Sequence, residues 1–299
     1  MTVLRLLGRS AVLVLVLAGL AEAQAPPPPG TILTWAGGNP AAPLPRPHDI
    51  RFDRAGHAYI IDQDASALWV VEAQTGLIGS IAPPAPFTFT PSAIAIHPSD
   101  GSLYFCNQDE RIWRYDPASP SVDPILVAGT GVRTGSFGTV GPGGTVDLGD
   151  GGQAIAANFA TPVWLAFDVD ANLFVSDRDN HRVRRIDAAT GVITTVAGTG
   201  INGVVAGGFA DGVAILGELN TLWAITFGPD GSLYIADAGN GRIRRVTPAA
   251  SGALITSGLG EMMTTVVSGI SPFGVAVDRA GRVLFSGDSS HQVSLVEGG

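Results

Sequence analysis

The segment Asp177-Arg-Asp-Asn-His-Arg-Val-Arg-Arg-Ile186 returns sixty residues later as Asp237-Ala-Gly-Asn-Gly-Arg-Ile-Arg-Arg-Val246. An internal repeat of this length indicates an architecture in which every copy is one supersecondary unit. Around the first copy, apolar residues alternate with a period of two in four runs, with Gly, Asp and Asn between them; the runs are 162–167, 173–175, 183–186 and 192–196. The pattern predicts a four-stranded antiparallel meander.

The second run of the meander can be found five times along the chain. Its copies end at Asp62, Asn107, Asp177, Asp237 and Gly287, with spacings of 45, 70, 60 and 50 residues. Four short strands in each such interval are typical of a β-propeller, in which linkers of variable length join blades of constant size. We therefore predict an all-β propeller of four-stranded antiparallel blades, with five countable repeats.

The two ends of the chain predict how the ring closes. The last copy stops at its third strand, 293–296, while Thr31-Ile-Leu-Thr-Trp-Ala-Gly37 matches the fourth strand Val192-Ile-Thr-Thr-Val-Ala-Gly198. Residues 31–36 are thus expected to complete the last blade, which would leave no exposed strand edge between first and last blades.

These motifs resemble the NHL-repeat propellers, and the resemblance covers nearly all of residues 31–299. It rests on 173–186 with 194–200, on 231–245, and on the linker motif Gly149-Asp-Gly-Gly-Gln-Ala-Ile-Ala-Ala157. Six blades are the norm in that family. Here the stretch 129–161 is too rich in glycine to be a blade, so five are expected. The resemblance implies the fold and says little about chemistry, because propellers host many activities.

The N-terminal residues have the pattern of a signal peptide. Arg5 and Arg9 precede an apolar core, and Ala21-Glu-Ala23 resembles a cleavage site. We expect a signal peptide at 1–23, a Pro-rich spacer at 24–30 and the NHL-type propeller at 31–299. The protein is then predicted to be periplasmic or extracellular, with no stable membrane insertion after cleavage.

Charge and cysteine content exclude several classes of function. The net charge is -9, and every one of the 17 cationic side chains is Arg. An acidic chain argues against general nucleic-acid binding, which depends on neutralising phosphates. Without lysine there is no Schiff-base chemistry. The single cysteine, Cys106, lies on a predicted strand and is interpreted as a core residue.

Recurring charged residues are interpreted as structural. Asp62, Asp177 and Asp237 close equivalent strands, where they are expected to accept hydrogen bonds from turn amides or Arg. The pairs Arg184-Arg185 and Arg244-Arg245 recur at one repeat position and are expected to pair with Asp or cover a blade.

A functional site is predicted where the repeats differ, at the start of the innermost strands. The first copy reads Pro47-His-Asp-Ile-Arg51, whereas the other copies carry small or apolar residues at the same positions. Convergent polar groups among apolar walls are typical of a ligand site. The predicted ligand-binding residues at the channel mouth are His48, Asp49, Arg51, Trp164 and Trp223.

The segment that contains His48 also resembles the zinc-ligand segment of the peptidyl-hydroxyglycine amidating lyases, which are propellers of the same family. Only His48 matches, since the equivalent positions are Ser92, Val163, Trp223 and Phe273, whereas a catalytic zinc usually takes three protein ligands. Asp-rich turns such as 168–172 have the spacing of a calcium loop, but hairpin turns explain them better. No cofactor is expected; zinc or calcium remains an alternative, with His48 as the metal-ligand candidate.

Two functions follow from the sequence. The favoured one is an exported binding or scaffold module for a protein, peptide or glycan, held at the channel mouth and by the linkers 129–161 and 198–221. The alternative is a metal-assisted lyase or hydrolase in the central channel, with His48 as ligand or general base and Arg51 as oxyanion stabiliser. No catalytic residue is assigned, because the number of metal ligands favours binding.

Overall fold

A computed structural model of the chain describes residues 47–63, 67–81, 90–119, 122–133, 148–200, 211–250, 254–256, 259–287 and 293–296. The predictions for the signal peptide, the spacer and the closing strand 31–36 lie outside the described residues.

The strands form five antiparallel sheets, one for each repeat. Blade 1 contains β1 (Pro47–Phe52), β2 (Ala58–Asp62), β3 (Ala67–Val71) and β4 (Ile78–Ile81). Blade 2 contains β5 (Pro91–Ile96), β6 (Leu103–Asn107), β7 (Arg111–Tyr115) and β8 (Ile125–Ala128). Blade 3 contains β9 (Pro162–Phe167), β10 (Leu173–Asp177), β11 (Arg182–Ile186) and β12 (Ile193–Ala197). Blade 4 contains β13 (Gly212–Val213), β14 (Leu222–Phe227), β15 (Leu233–Asp237), β16 (Arg242–Thr247) and β17 (Met262–Ser268). Blade 5 contains β18 (Pro272–Val277), β19 (Val283–Gly287) and β20 (Val293–Val296).

The five-bladed propeller predicted from the repeat is confirmed. The innermost strands β1, β5, β9, β14 and β18 contact one another in chain order. His48 on β1 meets Phe273 on β18 with ring centroids 5.6 Å apart, which brings the first and last blades together. The predicted strands of the third repeat begin and end within about two residues of the observed ones, a normal uncertainty for element ends.

Short elements of the linkers join neighbouring blades. The 3-10 helices Ala154–Ala156 and Ala214–Leu216 lie in the linkers, before the innermost strands β9 and β14. Two further 3-10 helices, Arg178–Asn180 and Ala238–Asn240, lie within blades 3 and 4, in the turns after β10 and β15. The two-residue strand β13 pairs with the outer strand β17. The linkers therefore pack against the blades where they are described, and 129–161 contributes no blade of its own in its described part.

The hydrophobic core lies between the sheets. The second strands β2, β10 and β15 are buried at every residue, because both of their faces meet a neighbouring blade or the inner strand. One large cluster joins side chains of blades 3, 4 and 5, including Trp164, Phe174, Ile225 and Val275. Burial on both faces of a sheet explains why the alternating pattern is weakest in these strands.

In blades 3 and 4 the recurring Asp residues tie the blade to the preceding linker, as predicted. Asp177 accepts hydrogen bonds from the backbone N–H of Ala160 (2.8 Å) and the side chain of Asn180 (2.8 Å). Asp237 accepts the equivalent pair, from the N–H of Asn220 (2.8 Å) and from Asn240 (3.0 Å). Burial raises the pKa of both carboxyls to about 6, despite these bonds and the nearby arginines. The paired positions are thus architectural.

The Asp-rich turn 168–172 is a hairpin turn. Asp168 accepts hydrogen bonds at Oδ1 from the N–H groups of Asp170 (3.0 Å) and Asn172 (2.8 Å) and at Oδ2 from the Asn172 side chain (2.8 Å). Both carboxylate oxygens are used within the turn itself. Within the described part of the chain, no group of three or more His, Cys, Asp or Glu residues is placed to hold a metal ion.

Candidate functional site

A β-bulge at the start of each innermost strand directs one side chain of every blade to the same cavity. In blade 1 the register shifts between Pro47 and Asp49, so His48 is the extra residue, and the other four blades have the same irregularity. Bulges commonly redirect side chains next to functional sites. The second residues of these strands form a ring around a cavity of about 490 Å³, here called the mouth cavity; they are His48, Ser92, Val163, Trp223 and Phe273.

One side of the mouth cavity is aromatic. The Trp223 and Phe273 rings lie 4.4 Å apart at 33°, and His48 meets Phe273 edge-on at 84°. The guanidinium of Arg178 lies 4.9 Å from the Trp223 ring centroid, a favourable cation–π distance. Four side chains from blades 3, 4, 5 and 1 thus form a continuous row of contacts, here called the aromatic sector.

Another part of the lining of the mouth cavity is polar. Its residues come from the turns after β2 and β6 and from the linker before β9; they are Gln63, Gln108, Glu110, Arg133 and Thr161. The N–H of Thr161 donates to Glu110 Oε2 at 2.6 Å, and Arg133 Nε lies 3.6 Å from Oε1. Burial raises the pKa of Glu110, although the bond from Thr161 opposes it. These residues are here called the polar sector.

Asp179 links the polar sector to the aromatic sector. Its Oδ1 accepts from Arg178 Nε (2.9 Å), and its Oδ2 accepts from Arg133 Nη2 (2.8 Å) and Thr161 Oγ1 (2.7 Å). Burial alone would raise the pKa of Asp179, but the hydrogen bonds from Arg178 and Thr161 outweigh it and hold the pKa below its ordinary value. Asp179 therefore stays charged and fixes both guanidinium groups.

A second cavity of about 490 Å³ lies toward the other ends of the innermost strands and is here called the base cavity. The fifth residues of the strands form its ring; they are Arg51, Ala95, Ala166, Thr226 and Ala276. His48 also lines this cavity, so it lies where the two cavities approach each other.

An ion pair and an indole lie in the wall of the base cavity. Asp49 is 4% exposed; it pairs with Arg51 and accepts a hydrogen bond from the N–H of Ile94 on β5 (3.0 Å). Burial raises the pKa of Asp49, and the charge of Arg51 opposes that rise. The Arg51 guanidinium lies 5.2 Å from the ring centroid of Trp164, which is 6% exposed. Asp49 thus joins blades 1 and 2, and Arg51 neutralises it.

The five residues predicted to share one mouth are divided between the two cavities. His48 and Trp223 line the mouth cavity, whereas His48, Asp49, Arg51 and Trp164 line the base cavity. Trp164 and Trp223, which the sequence analysis assigns to one mouth, therefore line different cavities. Trp223 is the second, bulged residue of its strand and Trp164 the third of its own, and neighbouring positions of a strand point in different directions.

Sequence reasoning missed the polar sector. The residue after each strand-closing Asp or Asn varies, and in three blades it lines the mouth; these residues are Gln63, Gln108 and Arg178. The same comparison between repeats that identified His48 would have found them, had it been applied to the turns after the second strands. Glu110 gave no such signal, because it lies beyond the residue that follows Asn107, in a turn whose left-handed backbone (φ 60°) the repeat pattern does not reveal.

The metal alternative can be tested on the donor atoms of the five second residues around the mouth cavity, here called the bulge ring. His48 is its only imidazole, and Ser92, Val163, Trp223 and Phe273 complete the ring. A catalytic zinc takes three protein ligands, so these residues do not fit one. Cys106 does not add a ligand, because it is buried in the core and burial raises the pKa of its thiol well above the ordinary value.

Comparison with known proteins identifies the fold. No protein-family model and no curated protein matches the sequence. A structure of the nidogen/laminin complex matches with a TM-score of 0.58 and 15% identity over 85% of this chain and 77% of that chain. An auxiliary nutrient binding protein from Bacteroides thetaiotaomicron matches with 0.56 and 14% over 86%, and the present chain spans 60% of it.

A third match is an inactive variant of virginiamycin B lyase from Staphylococcus aureus with quinupristin. Its TM-score is 0.50 and its identity 14%, over 85% of this chain and 72% of that chain. Likeness at this level of identity concerns architecture, because one fold hosts unrelated functions. In the described part of the chain, no helix is long and apolar enough to cross a membrane. The similar folds and the five sheets together show that the chain is a β-propeller.

Proposed function

We propose that this chain is an exported propeller of the NHL-repeat type and acts as a binding or scaffold module. Its ligand is a protein, peptide or glycan, of which one end enters the mouth cavity. The NHL assignment is supported by the repeat motif at 177–186 and 237–246, and export by the signal-peptide pattern at 1–23.

The division of the mouth cavity into an aromatic and a polar sector carries the proposal. The aromatic sector offers apolar surface at Trp223 and Phe273, and the polar sector offers donors and acceptors at Gln63, Gln108 and Glu110. An apolar wall with a few convergent polar groups is the usual composition of a ligand site. The ligand should therefore be amphipathic.

The end of a glycan fits this arrangement best. A sugar ring presents C–H groups on its faces and hydroxyl groups around its edge, which both donate and accept. The side-chain amides of Gln63 and Gln108 can both donate and accept hydrogen bonds, and the carboxylate of Glu110 can accept them. A volume of about 490 Å³ suits a small unit and not a flat macromolecular interface.

A binding function is favoured over metal-assisted catalysis because the side chains around the mouth cavity offer too few metal ligands. The bulge ring supplies one imidazole, from His48, where the lyase or hydrolase alternative needs a set of ligands. The fold itself accommodates both classes, since similar structures include auxiliary nutrient binding proteins of two Bacteroides species and a lyase.

A screen of the purified protein against arrays of glycans and peptides tests the proposal. Hits are then titrated by calorimetry with Ser92→Phe, which places an aromatic ring where blades 4 and 5 already carry Trp223 and Phe273. We expect this variant to lose the ligand and Ala276→Phe, in the base cavity, to retain it. Binding that survives Ser92→Phe would place the ligand outside the mouth.

Tryptophan emission gives a second readout of the same site. Ligand binding should change the emission of the protein, and Trp223→Phe should remove most of that change because Trp223 lies in the aromatic sector. Trp164→Phe is the matched control, since Trp164 lines the base cavity. The opposite result would assign the ligand to the base cavity.

The metal alternative is tested by metal analysis of the untagged protein beside His48→Ala. Stoichiometric zinc or calcium that is lost in the variant would replace the binding proposal with a metal-dependent lyase or hydrolase. We expect no stoichiometric metal in either protein, because the ring has one imidazole.

A further inference from the structure

The lining of the base cavity is largely apolar, and several of its apolar side chains are only half-buried, unlike those of a closed core. The sixth residues of four innermost strands surround the cavity as half-buried side chains; they are Phe52, Ile96, Phe167 and Phe227. Farther in lie the fourth residues Ile50, Leu165, Ile225 and Val275, together with Trp164. Partly exposed aromatic side chains collected around a concavity commonly mark a place where an apolar group binds.

Arg51 is the one cation that lines the base cavity among the described residues. Its Nη1 bonds to Asp49 and donates to the carbonyl oxygen of Ile50 (2.9 Å). Within the described chain, its Nε and Nη2 donate to no protein acceptor. The guanidinium is held by Asp49 on one side and by the face of Trp164 on the other, so it retains donors in a fixed position.

The carboxylates that line the same cavity are already engaged. Asp49 accepts from Arg51 and from the N–H of Ile94, and Asp168 accepts three bonds within its own turn. Both residues are buried, at 4% and 7% exposure. A ligand in the cavity therefore meets the donors of Arg51 and the hydroxyl of Thr226 before it meets a carboxylate.

We infer that the base cavity is a second ligand site, separate from the mouth, for an amphipathic anion. The ligand has an apolar body of ring size and a single carboxylate- or sulfonate-type head that bonds to Arg51. A charge-assisted bond to a guanidinium is stronger in an apolar surrounding than in water, which favours an anionic head over a neutral one. This inference does not depend on the ligand of the mouth cavity.

Two fluorescent probes of similar apolar shape test the site in the full chain. Anilinonaphthalene sulfonate is anionic, and phenylnaphthylamine is neutral. We expect one equivalent of each to bind to the native protein, and Ala276→Phe to abolish binding of both by filling the base cavity. Blade 1 carries the long side chain of Arg51 at the equivalent fifth position, which is the reason for choosing this position for a larger residue. Ser92→Phe, which fills the mouth cavity, should leave both affinities unchanged.

The role of Arg51 requires a variant that leaves no buried charge alone. In the double variant Asp49→Asn/Arg51→Met both charges are removed, and the Asn side chain can still accept from the N–H of Ile94. The affinity for the sulfonate should fall on the order of tenfold or more, while that for the neutral probe should change less than about twofold. Cooperative thermal unfolding of each variant confirms that the probes meet folded protein.

Three results would overturn the inference. Sulfonate binding that persists in Ala276→Phe would place the probe outside the base cavity. Equal losses of the two probes in the double variant would remove the head-group contact with Arg51. Loss of binding in Ser92→Phe, with Ala276→Phe unaffected, would transfer the site to the mouth.

Discussion

Adjacent arginines in one strand have very different surroundings. Arg244 is fully buried on β16, where Nη2 lies 3.2 Å from Asp211 and Nη1 lies 3.8 Å from the buried Asp237. Arg245 beside it pairs with Asp230 at the surface, where both side chains are more than a third exposed. The same residue type at neighbouring positions thus serves a buried ion pair and a surface ion pair.

Arg244→Met should therefore cost far more stability than Arg245→Met. The first substitution leaves the carboxylate of Asp237 buried without its cation, which typically costs about 3–5 kcal/mol. The second removes a screened surface pair, worth roughly 0–1 kcal/mol. Urea unfolding of the two variants measures both values, and equal losses would show that the Asp237 carboxyl does not depend on Arg244.

The pKa of Asp237, raised by burial to about 6, makes stability depend on pH. Because this value lies above the ordinary 3.8, the folded protein takes up a proton as the pH falls, and the free energy of unfolding gains from this carboxyl down to about pH 4. His181 opposes the gain, since burial lowers its pKa and its neutral form is favoured. A comparison with Asp237→Asn isolates the carboxyl.

We expect the stability advantage of the wild type over Asp237→Asn to grow by about 1–3 kcal/mol from about pH 7.5 to about pH 4.5. Chemical denaturation at both pH values measures it. A difference that does not depend on pH would mean that Asp237 titrates at its ordinary value in the folded protein.

At the scale of the element, alternation in the sequence predicts the strands, but the side-chain directions at their first residues need the structure. A period of two assigns Trp164 and Trp223 to innermost strands correctly. It does not reveal the bulge that moves His48 and Trp223 into the mouth cavity and leaves Trp164 in the wall of the base cavity. An extra residue in one strand is a property of pairing, which the strand alone does not display.

Glycine closes the outer strands of blades 2 and 3. Gly129 and Gly198 follow β8 and β12 with φ values of 95° and 92°, which favour glycine. A Cβ at Gly198 would overlap the carbonyl oxygen of His181, and one at Gly129 would overlap that of Glu110. These Ala-Gly ends therefore seat the linker against the turn that precedes the third strand.

Gly198→Ala should destabilise the protein by more than about 2 kcal/mol, since backbone strain and a backbone overlap add together. Gly76→Ala is the matched control, because its φ is 67° but a Cβ there meets nothing within 4 Å. It should cost about 1 kcal/mol. Thermal unfolding ranks the two, and a reversed order would show that the linker moves away at little cost.

At the scale of the molecule, the bulge ring and the fifth-residue ring show how five unequal repeats make two different cavities. Each blade contributes one side chain to each ring, so a substitution at a ring position of one repeat changes one of the five residues of that ring. The aromatic sector draws on blades 3, 4, 5 and 1, and the polar sector mainly on blades 1 and 2. A repeat fold thereby separates the residues that maintain the blades from those that select a ligand.

Closure of the ring by residues 31–36 remains a prediction. The strand edge that this segment would cover is that of β20 in blade 5. On its inner side β20 pairs with β19, and no strand of the described residues pairs with its outer edge. The sequence 31–37 ends in Ala-Gly, and the same pair stands at the ends of β8 and β12, which supports its assignment as the outer strand.

Deletion of 31–36 should lower the melting temperature by on the order of 10 °C, because the ladder and the contact between first and last blades are lost together. Deletion of 24–29, six residues of the Pro-rich spacer, is the control and should leave it unchanged. Equal melting temperatures for the two deletions would contradict closure by this segment, and dimers formed only by the 31–36 deletion would support an edge that the segment normally covers.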